Sequence, residues 1–272
     1  MTSRRVALVA LSLGAVFMAF PFFLMVGTSL MTYAQTTHYP PEWLPRPITF
    51  QNYTKALGQT PLLRYMLNSL VVAAFSVLGQ LITGSMAGFA FARLRFGGRD
   101  ALFFAVLATM MVPVYINLVP LYALMSLLGW VDTYQALIVP GLVGGFGVFL
   151  FRQWFLALPA ELEDAARVDG ATPWQLYWLV ALPTALPAIA TLAIFEFLAS
   201  WNTFLWPLVV TNSDSLRTLP VGLAAFLASM KEVTDWGLLM AATTVAVVPA
   251  IAVFLIGQRY FIRGLMAGAV KD

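Results

Sequence analysis

Ala157-Leu158-Pro159-Ala160-Glu161-Leu162-Glu163-Asp164-Ala165-Ala166-Arg167-Val168-Asp169-Gly170-Ala171-Thr172-Pro173-Trp174-Gln175-Leu176-Tyr177-Trp178-Leu179-Val180-Ala181-Leu182-Pro183 is a polar island in an apolar chain. Acids fall at 161, 163, 164 and 169. Pro159 suits a helix start, and the residues after it are good helix formers. Asp169-Gly170 reads as a stop, because glycine enters positive φ with no Cβ penalty. Thr172 suits the cap of a second helix, and Pro173 fits its first turn. Trp174, Tyr177 and Trp178 then share one face. The spacing predicts two short helices meeting at an angle at the glycine. A linker whose only task is length needs no such punctuation, whereas an elbow of this kind can take up force from a soluble partner.

The island is flanked by apolar sequence on both sides. Over 272 residues the chain is 61% hydrophobic and only 10% charged, against about 25% charged in soluble domains. There is too little polar surface to coat the chain in water, so lipid must solvate much of it. There is no cysteine, which removes disulfides, thiolate metal sites and cysteine nucleophiles. The one histidine, His38, leaves no histidine-based metal cluster, and we assign it no role. No metal site and no nucleic-acid partner is expected.

A bilayer core of about 30 Å needs about 20 apolar helical residues. Six stretches meet this, near 6–30, 65–92, 101–128, 134–155, 185–210 and 236–258, with the elbow loop at 156–184. The expected fold is an all-α integral membrane protein. It has six transmembrane helices in a single domain over 1–272, and the elbow lies between the fourth and fifth. Pro113, Pro120, Pro187, Pro207 and Pro249 lie inside these stretches, where packed neighbours can satisfy the freed carbonyls. The first stretch follows Arg4 and Arg5 but is far longer than a signal-peptide core of about 7–15 residues, so it reads as a retained anchor. Loop cations set orientation. With the amino terminus inside, Arg4, Arg5, Arg93, Arg95, Arg99, Arg152, Arg167, Arg259, Arg263 and Lys271 are inside, and Arg46, Lys55, Arg64, Arg217 and Lys231 are outside. This excess places both termini, and the elbow, in the cytoplasm.

Two outer loops are substantial. The first, near 31–64, carries Tyr39-Pro40-Pro41-Glu42-Trp43-Leu44-Pro45. Prolines stiffen it, and Trp43 suits the headgroup level. It reads either as an ordered surface connection or as a docking surface for an external partner. The second, near 211–235, carries Asp214, Arg217, Lys231, Glu232 and Asp235 and admits the same two readings.

The island resembles the EAA loop of permease subunits of ATP-binding-cassette importers, whose pattern is Glu-Ala-Ala, three positions, Gly, and a later Leu-Pro. Asp164-Ala165-Ala166, Asp169-Gly170-Ala171 and Leu182-Pro183 stand in that order and spacing. The departure is Asp164, one methylene shorter than the usual glutamate. Further stretches resemble the carbohydrate-uptake branch, the maltose-type inner-membrane subunits. These are Asn68-Ser69-Leu70, Ala90-Phe91-Ala92-Arg93-Leu94, Gly129-Trp130-Val131-Asp132-Thr133-Tyr134 and Phe149-Leu150-Phe151-Arg152-Gln153. Then come Trp201-Asn202-Thr203-Phe204-Leu205-Trp206-Pro207-Leu208, Arg217-Thr218-Leu219-Pro220-Val221-Gly222-Leu223, and the tail from Gln258 to Lys271. The resemblance implies a permease without catalytic residues in a bacterial or archaeal cytoplasmic membrane. Its expected partners are a second homologous permease in a heterodimer, two copies of a cytoplasmic ABC ATPase and an extracytoplasmic solute-binding protein. It also implies an elbow seated in a groove of the ATPase. No cofactor is expected in this chain, and ATP with magnesium belongs to the partner ATPase. Independently, the three lysines lie outside any Gly-x-x-x-x-Gly-Lys-Ser/Thr context.

The coupling residues are expected to be Glu161, Glu163, Asp164, Ala165, Ala166, Asp169, Gly170 and Ala171. The alanines would let a partner backbone approach, and Gly170 would allow the bend. For the solute pathway the candidates are Glu196, Trp201, Asn202 and Asn117, with Asn68 and Gln80 weaker. Glu196 stands deep in the fifth stretch, where an ionised group is costly unless paired or wetted. It reads either as a pathway group for solute hydroxyls or as a buried acid that is paired or protonated. Trp201 and Asn202 read either as a face and an amide for sugar rings or as an interfacial indole and a backbone-bonding amide. Gly84-Ser85-Met86-Ala87-Gly88 reads as close helix packing. An ion-coupled secondary transporter is the main alternative; it would usually show inverted repeats, broken midplane helices and intramembrane ionisable coupling groups, whereas only Glu196 is a clear deep acid here and no repeat is obvious. An intramembrane enzyme would need a nucleophile, base or metal set at matching depth.

Overall fold

The computed structural model describes residues 2–230 and 234–269, with backbone alone at 2, 3, 59 and 259–269. Lys231, Arg259, Arg263 and Lys271, which enter the charge count, Glu232 of the segment 211–235, and the tail beyond Gln258 lie outside the described side chains. All regular structure among the described residues is helical. In chain order it comprises α1 (Thr2–Ser29), α2 (Tyr33–Thr37), α3 (Gln51–Gln59), α4 (Leu62–Arg93) and α5 (Arg99–Met111). After a 3-10 turn at Val114–Asn117 come α6 (Leu118–Leu127), α7 (Tyr134–Ile138), α8 (Gly145–Leu156) and α9 (Ala160–Val168). Then follow α10 (Pro173–Gln175), a π-helical stretch at Leu176–Ala181, α11 (Leu182–Thr184), α12 (Leu186–Asn202), α13 (Leu205–Val210), α14 (Leu219–Ser229) and α15 (Trp236–Ala269).

Among the described residues, four helices are long and apolar enough to cross a membrane: Arg4–Ser29, Leu62–Arg93, Tyr134–Leu156 and Trp236–Gln258. Two bent pairs, Arg99–Met111 with Val114–Leu127 at 90° and Pro173–Thr184 with Leu186–Asn202 at 74°, raise the number to six if each pair is one span. Apolar side chains cover α1 on all sides, and Phe17 is 80% exposed. Such a surface is stable only against lipid or another apolar partner.

Three expectations need correction. The stretch 101–128 is not one helix, because Val112 is extended ahead of Pro113, as a residue before proline prefers. The stretch 185–210 breaks after Asn202, with Thr203 extended. In a continuous helix the Pro207 ring would meet the Thr203 carbonyl. The segment 211–235 is not simply a loop, since its uncharged run at Leu219–Ser229 forms α14 with Leu219, Val221 and Gly222 buried.

The chain divides into two compact units. In the unit of Met1–Met66 with Leu219–Pro249, Asn52 Nδ2 donates to the carbonyls of Ser29 (2.9 Å) and Met31 (2.7 Å). A capping box at Thr32 starts α2, and Gln35 Nε2 donates to Glu42 at 3.0 Å. The Asn52 bonds tie the segment 31–64 to the end of α1, while Tyr39 and Trp43 remain exposed.

The unit of Leu67–Thr218 with Ala250–Asp272 has its core where α4, α8 and the segment 176–192 meet: Phe89, Phe151, Phe155, Leu176, Tyr177, Ala185 and Leu192. The α4 and α8 backbones approach closely. A Cβ on Gly88 would lie 2.6 Å from Phe151 Cβ and 2.8 Å from Arg152 N. Asn68, at 1% exposure, donates to the carbonyls of Ser215 (2.9 Å) and Arg217 (2.8 Å) and accepts from Tyr134 Oη at 2.6 Å. Its amide is used up in holding 215–217 against α4.

Asp132, in the left-handed region at φ 61, accepts three bonds on Oδ1: from the backbone N–H groups of Ser213 (3.0 Å) and Asn212 (2.9 Å) and from Ser213 Oγ (3.0 Å). The Ser213 N–H, above all, holds this carboxyl below its usual range. A depressed folded pKa stabilises above the unfolded carboxylate value, about 3.9, and that stabilisation is lost as pH falls through the lower folded value. Acidification from pH 5 to 2 should lower the thermal midpoint of the detergent-solubilised protein, and Asp132→Asn should remove part of that response. Identical acid profiles for the two proteins would show that this tie contributes nothing.

Candidate functional site

The elbow forms from residues whose conformational options are narrow. Pro159 precedes α9, and α9 closes on Gly170 at φ +82. Ala171 N–H bonds the Ala166 carbonyl at 3.0 Å, and Gly170 N–H bonds that of Arg167 at 3.0 Å. These are the two crossed bonds of a glycine helix stop. Thr172 then caps α10 in a reciprocal box with Gln175, and Pro173 occupies the first turn. Leu176, Tyr177 and Ala181 enter the core, and Tyr177 Oη lies 2.8 Å from Ser85 Oγ on α4. Trp174 and Trp178 pack on Tyr177 with ring centroids 5.7 and 5.1 Å away, and both indoles stay exposed.

The two faces of α9 differ. Glu161, Asp164, Ala165 and Asp169 are exposed, as are Leu162 and Val168, the last at 88%. Glu163 turns inward with 13% of its side chain exposed, and Arg93 Nε at the end of α4 lies 2.7 Å from its Oε1. The Nε–H is not aligned for a hydrogen bond, so the contact is an ion pair. Arg167 Nη2 stands 3.7 Å from the other oxygen. Arg93 Nη2 also donates to the carbonyls of Phe155 (2.5 Å) and Leu158 (2.6 Å) at the end of α8. One guanidinium thus joins the ends of α4 and α8 to the inner face of α9. Ala166 and Ala171 are half-buried, and Ala166 packs against the core. Of the eight expected coupling residues, Glu163 and Ala166 face inward, while Glu161, Asp164, Ala165 and Asp169 lie open.

A cavity of about 600 Å³ lies among α4, the break between α5 and α6, α7 and the α12–α13 junction. It is lined by Asn117, Glu196 and Asn202, with the hydroxyls of Ser69, Ser76, Tyr115, Ser200, Thr203 and Thr218 and the ring of Trp206. Glu196 hydrogen-bonds the Gln80 side chain, and Gln80 Nε2 donates to the Gly141 carbonyl at 3.2 Å. Asn202 Nδ2 bonds the Leu198 carbonyl at 2.7 Å. The Trp206 indole is fixed by Nε1–H to the Ala136 carbonyl at 2.9 Å. Three expected pathway residues therefore share one cavity. Trp201 is not among them; it is 3% exposed and stacks on Phe197 at 5.5 Å. Trp206 and the ring of hydroxyls escaped the sequence reading, because serine and threonine are common inside apolar helices. The two broken helices, visible only in the fold, bring them together.

Residues 80–266 match the family described as binding-protein-dependent transport system inner membrane component. The chain is 43% identical over 204 residues, 75% of this chain and 72% of the relative, to the arabinooligosaccharides transport system permease protein AraQ of Halalkalibacterium halodurans. It is 34% identical over 271 residues, 97% of this chain and 96% of the relative, to the sn-glycerol-3-phosphate transport system permease protein UgpE of Brucella abortus. The fold superimposes with a TM-score of 0.87 on a crystal structure of a bacterial ABC transporter involved in import of the acidic polysaccharide alginate, at 24% identity and covering 96% of each chain.

Proposed function

The chain belongs to the family of binding-protein-dependent transport system inner membrane components, and from that premise we propose the details of its work as a permease subunit of an ABC importer. It is not the engine, since ATP hydrolysis falls to a separate subunit. Within one transmembrane domain of six spans it forms half of the path for a sugar or sugar derivative. A second, homologous permease supplies the other half. An external binding protein delivers the solute, and two copies of a cytoplasmic ATPase, which hold ATP and magnesium, drive alternating access. Both termini lie in the cytoplasm with the elbow between the fourth and fifth spans.

The observation that carries this reading is the two-faced elbow. Its outer face offers acids, the small Ala165 and bare apolar side chains to a partner. Its inner face is bolted by Arg93 to two helices of the unit that holds the cavity. Co-expression with the sister permease, the ATPase and the binding protein should give one complex, and its reconstituted vesicles should accumulate solute with ATP. An ATPase that fails to co-purify, or uptake that runs on an ion gradient without ATP, would sink the proposal.

A further inference from the structure

Relatives of this chain are named for neutral solutes and for anionic ones: arabinooligosaccharides in one, sn-glycerol-3-phosphate in another. Likeness alone does not choose between these chemistries, but the cavity does. Among the described residues that line it, Glu196 is the only carboxylic acid, and none is lysine, arginine or histidine. The remaining polar groups are hydroxyls, the two amides of Asn117 and Asn202, and backbone, beside the ring of Trp206.

We propose that the part of the path built by this chain selects uncharged polyhydroxylated solutes, neutral oligosaccharides or polyols, and disfavours phosphate esters and uronates. The inference rests on the permease reading and narrows its substrate class. Phosphate and carboxylate oxygens are usually met by arginine, lysine or other strong donors, and here they would find none of these cations and an acid side chain, Glu196, instead. Glu196 is hydrogen-bonded to Gln80, which is itself tied to Gly141, so it cannot swing away without giving up its bond to an anchored partner. A carboxylate accepts hydrogen bonds from sugar hydroxyls, while the Asn amides and the serine and threonine hydroxyls serve as donor or acceptor. The Trp206 face suits the apolar side of a pyranose or furanose ring. Charge repulsion across a few ångströms in a partly wetted site is large enough to change passage by about tenfold or more.

The test uses the complete importer, with sister permease, ATPase and binding protein, in proteoliposomes. A mixed pool of neutral oligosaccharides and polyols, sugar and glycerol phosphates, and oligouronates is offered with ATP, and vesicle contents are read by mass spectrometry. The wild type should accumulate neutral members at least about tenfold faster than anionic ones. Glu196→Gln should raise the anion-to-neutral ratio by about tenfold, and Glu196→Lys should raise it further. The binding protein is common to all three assemblies, so its own preference cancels from the change in ratio. Preferred uptake of a phosphate ester or uronate by the wild type would overturn the inference and leave the importer reading standing. So would variants in which every solute falls in proportion, which is the mark of a merely structural Glu196. Vesicles that accumulate nothing with ATP would instead remove the importer reading, and this one with it.

Discussion

Gly170→Asp should abolish ATP-driven uptake and release the ATPase on purification, while the protein still reaches the membrane in normal amount. Nothing stands within 4 Å of the position a Cβ would take, so the penalty is not a clash. It comes from φ +82, which costs an L-residue roughly 1–2 kcal/mol. Aspartate also brings a charge to the negative end of α9, beside Asp169, worth about 0.3–1 kcal/mol more. The cheapest relief is to unwind the last turn, which is held by the bonds from Ala171 to Ala166 and from Gly170 to Arg167. That turn carries one end of the outer face, so Asp164 and Asp169 would lose their mutual placement. Gly170→Ala bears the strain without the charge and should retain part of the uptake. Quantifying membrane-extracted protein, co-purified ATPase and vesicle uptake for both variants checks the chain of cause. Normal uptake by Gly170→Asp would refute the assignment of this bend to coupling.

The elbow was legible because each of its boundaries is a residue with few choices: Pro159 before α9, Gly170 after it, Thr172-Pro173 at the next start. Local chemistry decides such points, and local chemistry is what a sequence displays. The inward turn of Glu163 was not legible. Its partner Arg93 lies on another helix far away in the chain, and both Glu163 and Asp164 satisfy the same helical pattern. The breaks after Met111 and Asn202 were hidden for a different reason. Hydropathy measures how apolar a stretch is and is blind to whether its axis continues. Yet those breaks bring Asn117 and Asn202 to the cavity. Asn68 looked like a pathway amide because a polar group in an apolar helix must be satisfied somewhere. Only the fold shows that Ser215, Arg217 and Tyr134 satisfy it.

Arg93→Ala should separate docking from transmission. The outer face of α9 does not touch this guanidinium, so the ATPase should still bind and still hydrolyse ATP. What is lost is the bolt. Removing Arg93 strips Glu163 of its close partner, leaving Arg167 at 3.7 Å, and frees the terminal carbonyls of Phe155 and Leu158. Breaking a well-buried pair costs about 3–5 kcal/mol; with 15% and 13% of these side chains still exposed, the loss should fall at or below the lower end, about 2–3 kcal/mol. An α9 loosened to that degree can follow the ATPase without moving α4 and α8, so solute moved per ATP hydrolysed should drop by at least about tenfold. Glu163→Gln should be milder, because Arg93 keeps both carbonyls. Arg93→Lys should not rescue fully, since a single ammonium cannot span a carboxylate and two carbonyls in the planar geometry of a guanidinium. Combining Arg93→Ala with Glu163→Ala should cost less than the sum of the two, with a coupling of about 1–3 kcal/mol in the unfolding of the detergent-solubilised protein. Strict additivity, or wild-type transport per ATP in Arg93→Ala, would mean that force reaches the membrane helices by another route, through Tyr177 and the core beneath it.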